Sequence, residues 1–276
     1  MKFRNATVVI TGGASGIGLI MGRRALEMGA KSLAIWDINQ QNLDNVVKNH
    51  SSLAKVMGLK GDVVRGYRVD VSNFEAVKTA YQATVSDLGP VDILINNAGV
   101  VTTNKTFDEN TQADIDRTIT INTMAPMYVA LAMLPDMVKR DRGHILNITS
   151  AAGLLANPRM SVYAASKWAA MGWSDSVWIE LKEKKSNVHI TTFAPYFINT
   201  GMFDGVKSWF FPILDPEKTA RKAMRAVEHN TRFKGYPFAF RFARLMQGLM
   251  PMRMTDWVFG ELFGIYHAMD HFKGRK

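Results

Sequence analysis

The segment VVITGGASGIGLIMGRRALEMGA, residues 8–30, joins a short apolar run to a helix-like run through a group of glycines. The β-branched residues at its start favour a buried strand. Gly12 can form the tight turn after that strand, Gly16 allows a backbone to approach a pyrophosphate, and Gly18 allows close packing of helix on strand. The free N–H groups at the start of the helix can then hold the anion. The segment predicts the first unit of a dinucleotide-binding sheet; the alternative is a simple glycine-rich turn.

Further apolar runs repeat this pattern along the chain. They are ATVVIT (6–11), SLAIWD (32–37), GYRVDV (66–71), VDILIN (91–96), GHILNI (143–148) and VHITTFA (188–194). The helix-like segments between them are 17–28, 40–56, 73–88, 111–139 and 160–184. Apolar strands that alternate with helices indicate a parallel sheet covered on both faces. We predict one doubly wound α/β domain of the Rossmann type over residues 1–230, followed by a helical, apolar and basic extension over residues 231–276.

Prolines mark two features of this predicted fold. Pro126 and Pro135 interrupt the helix-like segment 111–139, which predicts a kinked or split helix. Pro195 follows the sixth strand and should end its ladder. The loop 195–214 is long and apolar, and loops of this kind at strand ends are more often functional than structural.

Composition excludes several classes of protein. The 276 residues include no cysteine, so disulfides, thiol catalysis and cysteine-ligated metals are excluded, and we predict no metal site. No run of about 18 uncharged apolar residues occurs, so we expect no membrane-spanning helix. The first strand begins by residue 6, which leaves no room for a signal peptide. These features predict a cytoplasmic protein.

Positive charge is concentrated near the end of the chain. The net charge is +10, and from Arg221 onward 11 Lys and Arg face 4 Asp and Glu, a local balance of +7. A basic region of this kind suits nucleic acid, an anionic membrane surface or plain solvent. No recognised nucleic-acid motif accompanies it, so we predict no specific nucleic-acid partner.

Polar and small residues stand at the predicted strand ends. Asp37 ends the second strand, where its carboxylate can accept hydrogen bonds from both ribose hydroxyls and repel a 2′-phosphate. This favours NAD over NADP, although Asp37 also suits a helix cap. Asp70, followed by Val71, ends the third strand, where it either contacts an adenine or caps a helix. The small residues that end the fourth strand are Asn97, Ala98 and Gly99.

Tyr163 and Lys167 stand four residues apart in a predicted helix and therefore share a face. They are either ordinary neighbours or a phenol activated by an ammonium, and the pair alone does not decide between these interpretations. Together with TGGASGIG, DILINNAG, Asn122 in ITINTMAP, Ser150 in LNITSAAG and PYFINTGM, however, the pattern resembles the short-chain dehydrogenase/reductase family over about residues 5–230.

The resemblance implies roles for four side chains. Tyr163 would be the catalytic acid/base and Lys167 its partner. Ser150 would orient the carbonyl, and Asn122 would hold a proton-relay water. Nearby positive charge favours an ionised phenol, so we expect Lys167 to lower the Tyr163 pKa toward working pH.

The resemblance also implies a cofactor site. The predicted NAD-binding residues are Thr11, Gly12, Ser15, Gly16, Ile17, Gly18, Asp37, Asp70, Val71, Asn97, Ala98, Gly99, Tyr163, Lys167, Pro195, Ile198, Thr200 and Gly201. Thr200 and Gly201 match the family element that grips the carboxamide of nicotinamide. The chain departs from the family where Tyr196, rather than glycine, follows Pro195.

The stretches PYFINTGMF and MDHFKGRK are similar to the branch of epidermal-type retinol dehydrogenases and 17β-hydroxysteroid dehydrogenases. This implies NAD-dependent hydride transfer with a lipophilic alcohol or carbonyl, in a homodimer or homotetramer formed through the helices near 111–139 and 160–184. The predicted substrate residues are Tyr196, Met202, Phe203 and Trp209. The alternatives are reduction of a small polar carbonyl and a non-catalytic dinucleotide sensor, although sensors of this kind usually lack the Tyr or the Lys.

The apolar loop 201–214 and the extension carry Met and aromatic residues interleaved with arginine. Such a stripe either packs as core or lies on a bilayer. We expect it to form an apolar lid and to make peripheral contact with the cytoplasmic face of an anionic membrane.

Overall fold

Seven strands form the sheet in the computed structural model, which describes residues 1–274 and leaves the last two residues of the predicted extension outside. The strands are β1 (Thr7–Thr11), β2 (Ser32–Asp37), β3 (Val64–Arg68), β4 (Ile93–Asn96), β5 (His144–Ile148), β6 (His189–Pro195) and β7 (Phe233–Tyr236). Their order is β3-β2-β1-β4-β5-β6-β7, and every neighbouring pair is parallel. The order reverses between β1 and β4, and ligands bind at the carboxyl ends of strands at such a point. The predicted doubly wound α/β sheet is confirmed.

Helices cover both faces of this sheet. In chain order the helices are α1 (Gly16–Glu27), α2 (Gln40–Val56), α3 (Phe74–Leu88), α4 (Gln112–Ile119), α5 (Ala125–Lys139), α6 (Ser161–Glu183) and α7 (Pro216–Glu228), and the short helices α8 (Ala243–Leu249) and α9 (Met252–Asp256) follow β7. The caps of α2 and α3 are Asn39 and Asn73, whose side chains accept from the backbone N–H groups of Asn42 and Ala76. Asp37 and Asp70, which we considered as caps, stand two and three residues before them.

Strand β3 is shorter than predicted and begins earlier, because its partner strand sets the ladder. The pairing runs from Leu33 with Val64 to Asp37 with Arg68, so the ladder stops where β2 stops. Val69 and Val71 lie beyond the ladder but remain buried in the core. Their apolar character therefore reports burial and not strand pairing.

The helix predicted to be kinked or split is continuous over residues 112–139. A π-helical segment, Thr120–Met124, joins α4 to α5, and Pro126 is the second residue of α5, directly after that segment. By length and composition this is the one helix within residues 1–274 that could cross a membrane, contrary to the expectation that none would. Its packing is that of a sheet-covering helix: Val129 and Met133 are buried in one apolar cluster with Leu94 of β4 and Ile145 of β5.

The predicted extension contributes directly to the sheet and the core. Strand β7 pairs with β6 from Thr192 and Phe233 to Pro195 and Tyr236. The extension residues buried in the larger apolar cluster are Phe240, Ala243, Phe259, Ile265, Ala268 and Met269. The boundary that we placed near residue 230 therefore falls just before a strand of the same sheet.

Candidate active site

The glycine-rich turn after β1 holds its backbone close to its neighbours. Gly12 and Gly16 have positive φ angles of 61° and 55°, which favour glycine. A Cβ on Gly12 would lie 2.9 Å from Ala98 Cα, and one on Gly18 would lie 2.3 Å from the Gly12 carbonyl oxygen. The turn and the first turn of α1 therefore tolerate no side chain at these positions, as the spacing predicted.

Hydrogen bonds fasten this turn to the end of β4. Thr11 Oγ1 accepts from the backbone N–H groups of Asn97 and Ala98 at 3.0 and 3.1 Å. The Asn97 side-chain amide donates to the carbonyls of Thr11 and Gly12, both at 3.0 Å. These bonds fix the crevice between β1 and β4, so Thr11 supports the cleft without lining it.

Asp37 and Asp70 lie at the ends of β2 and β3. The Asp37 carboxylate accepts from the backbone N–H groups of Ala14 and Asn39, both at 3.0 Å. One oxygen thus rests against the glycine-rich turn, and the helix cap is Asn39 instead. Asp70 Oδ1 accepts from the backbone N–H and hydroxyl of Ser72 at 3.0 and 2.6 Å.

Ser150, Tyr163 and Lys167 converge in one buried place. Ser150 follows β5, and the other two lie on the first turns of α6 and are 7% and 5% exposed. Lys167 Nζ lies 5.7 Å from the centre of the Tyr163 ring and donates to the Ile148 carbonyl at 3.4 Å. The end of β5 and the start of α6 thus position the predicted catalytic side chains together.

Burial shifts the pKa values of Tyr163 and Lys167. It raises the pKa of the Tyr163 phenol to about 12, and a hydrogen bond with the Ser150 side chain acts in the opposite direction. Burial also lowers the pKa of the Lys167 ammonium to about 8. The net direction is opposite to the expected lowering of the Tyr163 pKa toward working pH, because desolvation of the phenolate is the larger effect.

Asn122 lies in the π-helical segment, beside the same group. Its side chain accepts from the backbone N–H of Val100 at 2.8 Å and donates to the Val100 carbonyl at 2.9 Å. It also donates to Ser166 Oγ at 3.2 Å. A Cβ on Gly99 would lie 3.2 Å from Asn122 Oδ1 and 3.5 Å from Lys167 Nζ, so glycine permits this close approach.

Aromatic side chains from the loop after β6 cover the cleft. Phe203 contacts Tyr163 edge to face with ring centroids 6.1 Å apart. Tyr196 stacks on Phe240 at 5.4 Å, and its hydroxyl donates to Ser208 Oγ at 3.2 Å. The bulky residue that replaces the family glycine is thus anchored to the C-terminal segment.

One cleft collects most of the predicted site. The predicted residues that line it are Gly12, Ser15, Gly16, Ile17, Asn97, Ala98, Gly99, Ser150, Tyr163, Lys167, Pro195, Tyr196, Ile198, Thr200, Met202 and Phe203. The predicted residues outside its lining are Thr11, Gly18, Asp37, Asp70, Val71, Asn122, Gly201 and Trp209. Thr200 faces Gly16 across the cleft, and Trp209 packs instead against Gly264 and is 71% exposed.

The cleft also includes residues that sequence reasoning missed, namely Val100, Ile148 and Thr149. They follow β4 or end β5, and their position at the carboxyl ends of strands was the available signal. Within residues 1–274, no group of three His, Asp or Glu side chains is arranged to hold a metal.

Comparison with known proteins agrees with this geometry. A family model described as short chain dehydrogenase matches residues 6–210. Epidermal retinol dehydrogenase 2 of Mus musculus is 32% identical over 273 residues, which cover 98% of this chain and 85% of that protein. Estradiol 17-beta-dehydrogenase 11 of Homo sapiens is 32% identical over 247 residues, which cover 89% and 79%.

Among solved structures, a short chain dehydrogenase/reductase from Burkholderia phymatum in complex with NAD superposes with a TM-score of 0.79. The two chains are 23% identical, and the match covers 90% of this chain and 95% of that one. The fold is therefore shared, and the family match and the relatives cover most of the chain. The chain belongs to the short-chain dehydrogenase family and is an enzyme of the alcohol dehydrogenase/reductase class.

Proposed function

We propose that the protein is an NAD-dependent oxidoreductase that interconverts a lipophilic alcohol and its carbonyl compound. The observation that carries this proposal is the convergence of Ser150, Tyr163 and Lys167 on the cleft that the glycine-rich turn also lines. The named activities of the two relatives, on retinol and estradiol, support a lipophilic substrate.

The cleft fits a dinucleotide. Its floor is backbone at Gly12 and Gly16, and the N-terminus of α1 offers free N–H groups for a pyrophosphate. Asp37, held against the turn by the Ala14 N–H, stands where it can accept from ribose hydroxyls. Its charge opposes a 2′-phosphate, so NAD is preferred over NADP. The cofactor supplies the hydride chemistry when it is bound.

The chain's own residues handle the proton. Since its pKa is about 12, Tyr163 is protonated at neutral pH and can donate its phenolic proton to the alkoxide oxygen during carbonyl reduction. Ser150 donates to the same oxygen as charge develops there. In alcohol oxidation the phenolate form of Tyr163 accepts the proton, and a neighbouring positive charge assists by stabilising that form. The Asn122 side chain is already bonded to Val100 and Ser166, so its part in a proton relay would fall to its main-chain carbonyl.

An assay of NAD⁺ reduction across retinol, steroid alcohols, straight-chain alcohols of rising length and sugar alcohols tests this proposal. We expect kcat/KM to rise with chain length and to be greater with NAD⁺ than with NADP⁺. A preference for sugar alcohols would replace the lipophilic substrate with a small polar one. If the protein binds NADH but oxidises none of these alcohols, only the alternative of a non-catalytic dinucleotide sensor would remain.

A second proposal concerns the C-terminal apolar surface, which we define as the exposed side chains Trp209, Phe210, Phe238, Phe242, Leu245, Leu249, Met252, Met254, Trp257 and Leu262. Most of the large hydrophobic side chains exposed in residues 1–274 lie in this stretch. Arg241 and Arg253 stand among them in sequence, and the Arg241 guanidinium lies 5.4 Å from the Phe238 ring centre. We propose that this surface makes peripheral contact with an anionic membrane, because exposed apolar groups with basic neighbours suit the bilayer interface.

A homo-oligomer through α5 and α6 is a third proposal. Ile179 and Leu131 are 47% and 60% exposed on these helices. Light scattering of the wild-type protein should give the mass of a dimer or tetramer, and Ile179→Glu with Leu131→Glu should reduce that mass. A monomeric wild-type protein would contradict this proposal without affecting the assignment of the active site.

A further inference from the structure

A small cavity adjoins the cleft and shares Ser150 and Tyr196 with it. Its volume is about 20 Å³, and a water-sized group needs roughly 10–15 Å³. Its apolar walls are Ala151, Ala152, Leu155, Phe197, Phe240 and Ile265. The cavity therefore has room for one small group, such as a single hydroxyl. That group would lie next to Ser150, the side chain that donates to the reacting oxygen.

Asn157 is a polar residue in this lining whose hydrogen bonding is incomplete. It is 9% exposed, and its side-chain Oδ1 has no hydrogen-bond partner within the described part of the chain. Its Nδ2 donates weakly to Met160 Sδ at 3.6 Å, and reversing the amide would place the oxygen against that sulfur. A buried acceptor without a donor is costly, so Oδ1 is suited to receive an O–H group.

The other polar groups of the lining are already engaged. The Tyr196 hydroxyl donates to Ser208 Oγ, and Ser150 Oγ accepts from the Ala152 N–H at 3.2 Å. Among the side-chain oxygens that line this cavity, Asn157 Oδ1 is therefore the one without any hydrogen-bond partner.

We propose that the cavity receives a second hydroxyl of the substrate and that Asn157 Oδ1 accepts its hydrogen bond. The substrate is then an apolar diol or hydroxy ketone, whose second hydroxyl lies a few bonds from the reacting carbon. The body of the molecule lies in the cleft beside Tyr163 and Phe203, and the hydroxyl passes between Ser150 and Tyr196. This inference rests on the proposed function and names the substrate class more narrowly.

The test compares lipophilic mono-alcohols with diols of the same carbon skeleton, with the second hydroxyl moved along the skeleton. We expect the wild-type enzyme to favour one diol in kcat/KM by about 10- to 100-fold, the usual effect of one buried hydrogen bond. Asn157→Leu, which keeps the volume and removes the acceptor, should abolish that preference and leave mono-alcohol turnover unchanged. Asn157→Ala is a second variant with the same expected result, should Leu disturb the fold.

Asn104→Leu is the matched control, because Asn104 also has a buried unpaired Oδ1 but binds the Met269 carbonyl and does not line the cavity. This variant should keep the wild-type preference for the diol. Equal kcat/KM for mono-alcohols and diols in the wild-type enzyme would overturn the inference and assign the cavity to water, while the proposed function would stand. A diol preference that survives both Asn157 variants would also overturn it. No NAD-dependent turnover of any alcohol would overturn both proposals.

Discussion

Tyr163 is buried, hydrogen-bonded with Ser150 and part of the cleft lining, so it is placed to exchange its proton with a group inside the cleft. We predict that Tyr163→Phe folds and binds NADH but loses at least about 100-fold in kcat, because general acid/base catalysis typically contributes about 10²–10⁴-fold. Steady-state rates and NADH fluorescence titration measure the two properties. Tyr128→Phe on α5 is the control and should keep full activity. Retention of more than a tenth of wild-type kcat by Tyr163→Phe would contradict the assignment.

The buried ammonium of Lys167 has a consequence for stability. Its pKa falls from 10.5 to about 8 on folding, so below pH 8 the folded protein holds a charge that burial disfavours. This opposes folding by on the order of 3 kcal/mol at pH 7. Between pH 8 and 10.5 the unfolded chain binds the extra proton, so stability rises with pH in that window.

We therefore predict that Lys167→Met raises the free energy of unfolding at pH 7 and that roughly half of this gain is lost by pH 9.5. Urea unfolding of both proteins at the two pH values measures the difference. Lys182→Met, at the exposed end of α6, is the control variant. A gain that is constant with pH would mean that Lys167 is not desolvated.

Asp37 should determine the choice between the two dinucleotides. Its replacement by alanine removes the charge that opposes a 2′-phosphate and the acceptor for the ribose hydroxyls. We expect Asp37→Ala to raise the ratio of kcat/KM for NADP to that for NAD by at least about 10-fold, an effect of roughly 1.4 kcal/mol. Asp44→Ala on α2 is the control for a general change in charge. Equal use of both cofactors by the wild-type enzyme would show that Asp37 serves only the turn.

At the scale of elements, the turn between β1 and α1 depends on Gly18. A Cβ there would lie 2.3 Å from the Gly12 oxygen and 2.5 Å from Asn97 Nδ2, so α1 must shift away from the strand. We predict that Gly18→Ala lowers the free energy of unfolding by about 1–3 kcal/mol, as overpacking does, and weakens NADH binding. In Gly248→Ala, where the added carbon meets nothing within 4 Å, alanine should maintain or raise stability. Equal effects of the two variants would contradict this prediction.

The sequence predicted well those elements that are determined by short-range patterns of residues. Examples are the glycine-rich turn, the start of α6 and the strands around them. In each of these, the residue type at a position is determined by a turn, a helix cap or a buried face. Strand β7 was missed because FKGY contains Lys and Gly and has no apolar alternation; its pairing with β6 makes it a strand. The π-helical segment at Asn122 was missed because Pro126 predicts a break there, whereas the helix continues from that segment into α5.

The same distinction holds at the site. Residue identities and spacing predicted which side chains would meet, and the cleft brings most of them together. They did not predict the Tyr163 pKa, because desolvation depends on how deeply the phenol is buried. Trp209 was assigned to the substrate from its place in an apolar loop, whereas its contact with Gly264, distant in sequence, holds it outside the cleft lining.

At the scale of the whole molecule, the C-terminal apolar surface leads to a prediction about membrane binding. We expect the protein to co-sediment with vesicles of mixed phosphatidylserine and phosphatidylcholine and less with phosphatidylcholine alone. Leu249, Met252 and Trp257 are 76%, 82% and 58% exposed, so their joint replacement by serine should reduce binding to both. Arg253→Glu should reduce binding to the anionic vesicles alone.

Serine replacements at Val56 and Phe107, which are 86% and 64% exposed on other surfaces, provide the control. These should bind vesicles as the wild-type protein does. Deletion of residues 231–276 is unsuitable as a test, because it removes β7 and part of the core. Indifference of the wild-type protein to lipid charge would contradict the membrane proposal.

The position of β7 also shapes how the protein is made. Chains emerge from the ribosome N-terminus first, and domains form only once their strands are available. Until residues 233–236 leave the exit tunnel, β6 presents an unpaired edge that contains Ile190 and Phe193, and unpaired edges of this kind promote aggregation. The nascent chain therefore completes its sheet only after β7 has been made, and a stall near residue 230 would leave an aggregation-prone intermediate that needs chaperone protection.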